Sequence, residues 1–330
     1  MRRGVLSDVV IIQETDTLHV LSGLLDAKAF AILFGTTPDT ILSTCGDLLQ
    51  RYDFRYEVIR GKERDGIILD VLKVLDSRNF KASGKAREND WEQGWQENLD
   101  EFIESGYDLD ALAPKYISKY DVSRLFQQFV KPNDKLFELN YYTVYRHYLF
   151  TTFLKPFDSI YEFGCGSGYN LAVMNSLFPD KRIMGLDWAE SSVNIANALG
   201  TQLKTHIYGK HFDYFQPDYN LEISANSAVI TLNSMEQIGG DYQAFLDFIL
   251  AKKPALCINA EPILEMYDDN NLIDYLAIKY HKLRNYLSGY YDALKLLEAR
   301  GKIKILYSHR VPLGNYFHEG YSFIVWHQIA

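Results

Sequence analysis

The sequence contains few cysteines, and their spacing excludes two classes of small protein. Cys45, Cys165 and Cys257 are the only ones among the 330 residues, and they lie far apart with no CxxC pair. Such a set supports neither a disulfide framework nor a cysteine-rich zinc site, so we expect all three thiols to be reduced. His206 and His211 have no cysteine partners in a zinc-site pattern and form no HExxH motif, so no metal site is predicted.

An excess of basic residues and a long apolar run are also absent. Lysine and arginine together number 34, against 43 aspartates and glutamates, which gives a net charge of −9. This balance lacks the excess of positive charge that is typical of nucleic-acid-binding proteins, and it favours a small molecule as the main partner. The first apolar stretch is interrupted by Asp8 and ends at Ile12, too short for a signal-peptide core, and no later run could span a bilayer. We therefore expect a cytoplasmic protein with no membrane partner.

The chain is 47% hydrophobic, which is enough to build one large domain or two smaller ones. A polar stretch at 81–90 is typical of a linker and separates a small N-terminal α/β module, 1–85, from a helical cap, 86–150. In the module, "FAILFG" predicts a strand, and Thr37 begins a helix. A chain that begins at Ala86 is therefore expected to fold without the module.

From residue 151 to 330 the pattern changes to a regular alternation of strands and helices. Runs such as "SIYEF", "RIMGLDW", "SAVITLN" and "ALCINAE" predict a mostly parallel sheet covered by helices on both faces. The last two runs, "GKIKILYSHRV" and "GYSFIVWHQI", are joined by a loop too short for a crossover helix, so they must pair antiparallel. The segment 262–300, just before them, is predicted to be a helical insertion.

Three glycines, Gly164, Gly166 and Gly168, follow the first of these strands in "EFGCGSG". A glycine-rich turn between a strand and a helix lets backbone N–H groups approach a ligand closely. A dinucleotide fingerprint would need a glycine at position 169, where this chain has Tyr169. The motif resembles instead the first motif of class I S-adenosylmethionine-dependent methyltransferases. The resemblance also takes in Asp187, after the second strand, and the terminal hairpin.

The resemblance implies a Rossmann-like α/β fold with a seven-stranded, mostly parallel sheet and an antiparallel C-terminal hairpin. It also implies S-adenosylmethionine as cofactor, converted to S-adenosylhomocysteine. In such enzymes the glycine loop lies under the methionine part, the acid after the second strand binds both ribose hydroxyls, and nearby side chains contact the adenine. The matching positions, together with one residue after the fourth strand, are Glu162, Gly164, Gly166, Gly168, Asp187, Trp188, Asp213 and Asn233.

The predicted topology indicates where an acceptor would bind. Ligands of open α/β sheets bind beyond the carboxyl ends of the strands, so the residues that end strands face the chemistry. The segment "NSMEQI" is also similar to the Glu-His segment of ubiquinone-type O-methyltransferases, with Gln237 in place of the histidine. The terminal hairpin loop overhangs the same crevice, and the helical insertion carries two further polar residues one turn apart. Substrate contacts are predicted for Gln237, Tyr316, Glu319, His281 and Arg284.

A general base is expected to remove the acceptor's proton, and the candidates are His318, Glu236 and Glu261. His318 is placed first because its intrinsic pKa lies nearest neutrality, although we expect its loop to be flexible. The two glutamates are expected to orient the acceptor. The predicted reaction is methyl transfer to an oxygen or nitrogen of a small molecule in a biosynthetic pathway, such as a sugar or an aromatic metabolite. Trp91 and Trp95 would suit either kind of ring.

Several alternatives stay open at this point. Asp187 could cap the following helix, Trp188 could pack in the core, and Asp213 could be an ordinary loop residue. His281 and Arg284 could be solvated. For the whole chain, the alternatives are a nicotinamide-dependent oxidoreductase and a non-catalytic protein that keeps the methyltransferase fold for binding. A homo-oligomer is also left open.

Overall fold

The computed structural model describes residues 14–329, so the expectation for the apolar stretch that ends at Ile12 lies outside the described residues. Over that range, no helix combines the length and the apolarity needed to cross a membrane.

The N-terminal part consists mainly of helices. The segment "FAILFG", predicted as a strand, is helical, because Asp26 caps it by accepting the Ala29 N–H and Gly35 ends it in the left-handed region at a φ of 65°. The predicted helix start at Thr37 is confirmed, since its side chain accepts the Thr40 N–H. The elements are α1 (Glu14–Val20), α2 (Ala27–Phe34), α3 (Pro38–Arg51), β1 (Tyr56–Val58) and α4 (Gly61–Ser77).

The cap, predicted to be helical, also contains a β-hairpin. The two residues of its turn, Phe126 and Gln127, have φ values of 45° and 60°, which residues with side chains seldom adopt. Tertiary contacts hold them there: the Phe126 N–H donates to the Pro312 carbonyl at 2.8 Å, and the Gln127 amide donates to Asp274 at 2.9 Å. The elements are α5 (Glu88–Glu104), β2 (Ser123–Leu125), β3 (Gln128–Pro132) and α6 (Phe137–Phe153).

The alternation of strands and helices predicted for the C-terminal part is confirmed, and 262–300 contains two helices. The strands are β4 (Ser159–Phe163), β5 (Arg182–Asp187), β6 (Ile207–His211), β7 (Ser227–Leu232), β8 (Leu256–Ala260), β9 (Ile303–His309), β10 (Leu313–Gly314) and β11 (Phe323–Gln328). The helices are α7 (Tyr169–Leu177), α8 (Glu190–Gln202), α9 (Gln243–Lys252), α10 (Leu272–Arg284) and α11 (Tyr290–Ala299).

Seven of these strands form one sheet in the order β6-β5-β4-β7-β8-β11-β9. The strands from β4 to β8 pair parallel, and β11 runs antiparallel to both of its neighbours, β8 and β9. This is the predicted Rossmann-like sheet with an antiparallel C-terminal hairpin. The strand order reverses at β4, so the carboxyl ends of β4, β5 and β7 meet at the topological switch point, where open α/β sheets bind ligands.

A second sheet connects all three predicted units. Its order is β1-β3-β2-β10, so it takes one strand from the N-terminal module, two from the cap and one from the C-terminal part. A single hydrophobic cluster likewise includes Phe30 and Phe34 of α2, Tyr145 of α6 and Phe323 of β11. The boundaries predicted for the three units stay predictions, but the packing across them is continuous.

Candidate functional site

A cavity of about 420 Å³ opens at the carboxyl edge of the large sheet. Its walls are the glycine loop after β4, the end of β5, the segment after β7, α5, the end of α10 and the loop between β10 and β11. The predicted site residues that line it are Gly164, Gly166, Asp187, Trp188, Asn233, Glu236, Gln237, Arg284 and His318. The predicted site residues outside its lining are Glu162, Gly168, Asp213, Glu261, His281, Tyr316 and Glu319.

The three glycine positions of the loop after β4 leave no space for a side chain. Gly164, Gly166 and Gly168 have φ values of 71°, 51° and 70°, all in the left-handed region. A Cβ atom on Gly164 would lie 2.3 Å from the Cβ of Ser234, and one on Gly166 would lie 2.8 Å from the Trp95 ring. Gly168 packs under α8 instead, where a Cβ would lie 2.9 Å from an isoleucine side chain. Two of the three glycines therefore shape the cavity, and the third allows close helix packing.

Asp187 ties the end of β5 to this loop. Its two carboxylate oxygens accept the backbone N–H of Gly166 at 2.8 Å and that of Ala189 at 3.0 Å. Burial raises its pKa to about 6, while the hydrogen bonds from these N–H groups act in the opposite direction. Each oxygen keeps further acceptor capacity toward the cavity. The side chain does not cap α8, whose N-cap residue is Ala189.

Glu162 lies behind the glycine loop and is fully buried. One carboxylate oxygen accepts the Asn170 amide at 2.7 Å, and the other has no hydrogen-bond partner. Burial raises its pKa to about 8, opposed by the Asn170 hydrogen bond and the charge of Arg146. Arg146 is itself fully buried and lies over the Tyr169 ring, 4.1 Å from its centre. The second carboxylate oxygen of Glu162 is thus a buried acceptor beside the glycine loop without a hydrogen-bond donor.

Trp91 and Trp95 of α5 cover the glycine loop, a placement that no local sequence pattern signals. Their rings are stacked, with centres 5.4 Å apart, and both line the cavity. The indole N–H of Trp91 is buried without a partner. Glu92, between them, accepts the Ser191 N–H at 3.0 Å and so anchors α5 to α8. The tryptophan pair forms the lid of the half of the cavity next to the loop.

Trp188 and Asp213, both predicted to contact adenine, have different surroundings. The Trp188 ring lines the cavity and lies beside Phe215, with ring centres 6.1 Å apart. Asp213 lies outside the lining: its carboxylate accepts the Phe215 N–H at 2.8 Å, and the Lys85 amine is 3.7 Å away. The adenine contact of Asp213 stays a prediction.

Glu236 enters the cavity from the turn after β7, and the predicted linker 81–90 helps to orient it. Its carboxylate accepts the Gln237 amide at 2.7 Å. The Gln237 carbonyl in turn accepts from the Ser83 hydroxyl and from Arg87, each at 3.2 Å. Burial raises the pKa of Glu236 to about 7, opposed by this amide and by two nearby arginines. Ser83 and Arg87 of this segment thus hold the side chain that orients Glu236, and Arg87 also lines the cavity.

Glu261, predicted to orient the acceptor, orients the turn that carries Glu236 instead. It is fully buried and does not line the cavity. Its carboxylate accepts the backbone N–H groups of Ser234, Met235 and Glu236, at 3.2, 3.1 and 3.3 Å. Burial, together with the negative charge of Glu236, raises the pKa of Glu261 to about 8.

His318 differs from the expectation in two respects. Its loop is held rather than loose, because the Asn315 side chain accepts the N–H groups of Phe317 and His318 at 2.9 and 3.2 Å. Its imidazole is 7% exposed, and Nδ1 lies 3.2 Å from Nε2 of His281, which is buried behind it. Burial, together with the charges of two nearby arginines, lowers the pKa of His318 to about 3. The near-neutral pKa that placed His318 first is absent.

Glu319 belongs to a buried ion cluster rather than to the cavity. Arg310 donates to both Asp274 and Glu319, at 2.7 and 2.8 Å, and Arg124 lies 3.3 Å from Asp274. Burial opposes ionisation of Asp274, but the hydrogen bonds and charge of Arg310 lower its pKa below the ordinary value. Tyr316 lies outside the cavity lining and stacks on Tyr120, which lines the cavity, with ring centres 5.3 Å apart. The cluster fixes β2, α10 and the loop after β10 beneath the site.

Besides Trp91, Trp95 and Tyr169, eight aromatic side chains that the sequence did not indicate line the cavity. The chain has 24 tyrosines, and no local pattern distinguishes those that reach the site. Glu138 was also missed: it accepts the Ser118 N–H at 2.8 Å and the Tyr321 hydroxyl at 3.2 Å. Between residues 14 and 329, no group of histidine, cysteine or acidic side chains is arranged to hold a metal ion. The additional aromatic lining residues are Tyr116, Tyr120, Tyr142, Tyr214, Tyr280, Tyr286, Phe317 and Tyr321.

Comparison with known proteins gives distant similarities. No family model and no curated protein matches the chain. The small RNA methyltransferase HEN1 is 14% identical, with a TM-score of 0.42 over 56% of this chain and 25% of its own. Geranyl diphosphate C-methyltransferase from Streptomyces coelicolor A3(2) is 10% identical, with a TM-score of 0.40 over 60% and 86%. A Rhodobacter sphaeroides protein provisionally named as a Zn-dependent alcohol dehydrogenase is 10% identical, with a TM-score of 0.40 over 55% and 88%.

These similarities do not assign an activity to this chain. The fold is identified from the strand order of the large sheet, and the candidate site is identified from the cavity at the switch point.

Proposed function

We propose that this chain is an S-adenosylmethionine-dependent methyltransferase that acts on an oxygen or nitrogen of a small-molecule acceptor. The observation that supports this best is the hydrogen bond from the Gly166 N–H to Asp187, which joins the glycine loop to the end of β5 beside the cavity. It lies at the switch point of the sheet, where ligands of this fold class bind. Tyr169 in place of the third fingerprint glycine, together with the antiparallel β11, argues against the oxidoreductase alternative.

Three features of the cavity fit this cofactor. Gly164 and Gly166 present bare backbone to the cavity, which suits the methionine part of the cofactor. Asp187 presents a carboxylate for ribose hydroxyls, and Trp188 presents an aromatic face for adenine. Behind the glycine loop and outside the cavity lining, Glu162 keeps one buried carboxylate oxygen without a hydrogen-bond partner, an acceptor that no group of the described protein uses. When bound, the cofactor supplies an electrophilic methyl group on sulfur.

Glu236 is proposed as the group that accepts the acceptor's proton. Its pKa of about 7 is suited to a general base at neutral pH, and Gln237 and Glu261 fix its position. His318 is a neutral imidazole in the same cavity and is proposed to orient the acceptor by hydrogen bonding. Most of the rate enhancement comes from holding the acceptor in line with the methyl group. The net negative charge of the chain favours a small-molecule acceptor over a nucleic acid.

The first prediction concerns cofactor binding. S-adenosylhomocysteine should raise the melting temperature of the protein and bind in calorimetry, whereas NAD should do neither, since a ligand stabilises the state that binds it. Asp187→Ala should weaken S-adenosylhomocysteine binding about thirtyfold, or about 2 kcal/mol, because a charge-assisted contact is lost. The melting temperature without ligand reports any damage to the loop that Asp187 supports.

Glu190→Ala is the matched control, because Glu190 is an exposed acid close to Asp187 in the chain and lies outside the cavity. It should bind S-adenosylhomocysteine as the unaltered protein does. Equal affinity in Asp187→Ala, or binding of NAD in preference, would overturn the cofactor assignment. Tight binding with no methyl transfer to any metabolite of a cell extract would favour the non-catalytic alternative.

A further inference from the structure

Arg284 is a cation in the cavity wall that forms no ion pair with the described residues. It ends α10, and its carbonyl accepts the Ser83 N–H at 2.7 Å, so its backbone is held in place. Its guanidinium lines the cavity and lies over the Tyr286 ring, 5.3 Å from the centre. Its Nε atom is buried without a hydrogen-bond partner, and none of the ion pairs found in residues 14–329 involves it. Arg284 is partly exposed, but its buried Nε–H has no acceptor, which costs free energy until a ligand supplies one.

The acids that share the cavity are already engaged elsewhere. Asp187 accepts the backbone N–H groups of Gly166 and Ala189. Glu138 accepts from a backbone N–H and a tyrosine hydroxyl. Glu236 accepts the Gln237 amide; burial raises its pKa to about 7, and the charge of Arg284 opposes this increase without forming an ion pair. No carboxylate of the described cavity lining therefore forms an ion pair with Arg284.

The surroundings of Arg284 suit the body of a flat or apolar molecule. Tyr280 stacks on Phe317 at a ring-centre distance of 4.9 Å, and the His318 ring lies 5.3 Å from Tyr280. Lys119 stands exposed at the cavity edge and adds a second positive charge. Aromatic walls around an unpaired guanidinium favour a ligand with an anionic group on a mainly apolar body.

We propose that the acceptor carries an oxyanion, a carboxylate or a phosphate, which binds the Arg284 guanidinium while the reacting oxygen or nitrogen faces Glu236. The proposal deepens the proposed function by specifying the acceptor class for the same cavity. The planar fork of an arginine pairs with either oxyanion through two parallel hydrogen bonds. Arg284 is then the residue that determines substrate specificity.

The test uses four aromatic probes that differ mainly in charge: benzoate, phenyl phosphate, benzyl alcohol and benzylamine. Binding to the full-length protein is measured by saturation-transfer NMR, with and without S-adenosylhomocysteine. At least one of the two anions should bind more tightly than the alcohol and the amine. Arg284→Gln should weaken that anion about tenfold, because a charge-assisted contact is removed. The more tightly bound anion distinguishes a carboxylate acceptor from a phosphate acceptor.

Lys282→Gln is the control, since Lys282 is an exposed cation on the same helix that does not line the cavity. It should bind the anions unchanged. Tighter binding of benzylamine, equal binding of all four probes, unchanged anion binding in Arg284→Gln, or no anion binding at about 10 mM would each overturn the proposal. If the unaltered protein does not bind S-adenosylhomocysteine, the proposed function is contradicted instead. The anion preference measured in the absence of S-adenosylhomocysteine would still test the role of Arg284.

Discussion

Glu236 and His318 line one cavity, yet burial shifts their pKa values in opposite directions. Burial disfavours the charged form of each, so it raises the carboxyl pKa to about 7 and lowers the imidazole pKa to about 3. At neutral pH the carboxyl can exchange a proton, whereas the imidazole stays neutral. The choice of base therefore depends on the environment of each residue more than on its type.

The second prediction follows from this difference. The rate of methyl transfer should rise with pH through about 7, because Glu236 must be ionised to accept a proton. Glu236→Gln should lower kcat by roughly 10²- to 10⁴-fold and remove this acidic limb. His318→Asn should keep the limb while changing KM. The measurement is a pH–rate profile of each variant, following release of S-adenosylhomocysteine with an acceptor that supports turnover.

The opposite pattern would return the base role to His318. A limb that persists in Glu236→Gln and disappears in His318→Asn would show that the imidazole takes the proton. Cofactor affinity, measured separately, should be unchanged in both variants.

At the scale of elements, two side chains of β9 dock the end of α2. The Tyr307 hydroxyl donates to the Gly35 carbonyl at 2.7 Å, and Nε2 of His309 lies 3.0 Å from the Leu33 carbonyl. These groups satisfy carbonyls that the helix end would otherwise leave unpaired. Burial lowers the pKa of His309 to about 4. The contact therefore joins the N-terminal helices to the edge of the large sheet in a pH-dependent manner.

The third prediction is a loss of stability in acid that depends on His309. Its folded pKa lies below the unfolded value of about 6.5, so the unfolded chain binds the extra proton as the pH falls. The free energy of unfolding should decrease by about 2 kcal/mol more between pH 6.5 and 4 in the unaltered protein than in His309→Gln. Urea unfolding at several pH values measures the difference.

His211→Gln provides the comparison, because His211 is exposed at the end of β6. It should follow the unaltered protein at every pH. If His309→Gln also loses stability in acid as the unaltered protein does, burial of this imidazole is not the cause.

At the scale of the whole molecule, the N-terminal helices share the core of the C-terminal part. Phe34 stacks on Tyr148 at a ring-centre distance of 4.9 Å and contacts Tyr145 edge-on at 5.5 Å. Both tyrosines lie on α6 and belong to the cluster that reaches β11. Packing of this kind argues against independent folding of the two parts.

The fourth prediction reverses the sequence-based expectation for a shortened chain. A chain that begins at Ala86 should fail to fold, because its loss of α2 exposes the aromatic face of α6 and its loss of β1 leaves β3 unpaired on one side. It should be insoluble or lack near-ultraviolet circular dichroism. Normal folding and S-adenosylhomocysteine binding by this chain would contradict the prediction.

A matched pair of substitutions tests the same point in the intact chain. Phe34→Ala should lower the free energy of unfolding by about 3 to 5 kcal/mol in a single transition that includes the large sheet. Leu42→Ala should change it by about 0.5 kcal/mol or less, because Leu42 is 55% exposed.

Local sequence determined the large sheet and the glycine loop. Apolar runs separated by turn residues predicted the seven strands of the large sheet, and the short connection between the last two of these strands required antiparallel pairing. The glycines at 164, 166 and 168 need conformations that only glycine adopts easily, so their spacing identified the loop. The helical state of "FAILFG" was missed, because a short apolar run suits a buried helix as well as a strand.

The tertiary structure alone decided which polar residues face the cavity and in what state. Glu261 binds the turn after β7 and Glu319 joins an ion cluster, because partners remote in sequence, such as Ser234 and Arg124, approach them only in the fold. The same holds for the segment 81–90, in which Ser83 and Arg87 donate to the Gln237 side chain. Burial and distant charges set the pKa values that separate Glu236 from His318, and neither is encoded in neighbouring residues. Sequence therefore specified the backbone of the site, and packing specified its chemistry.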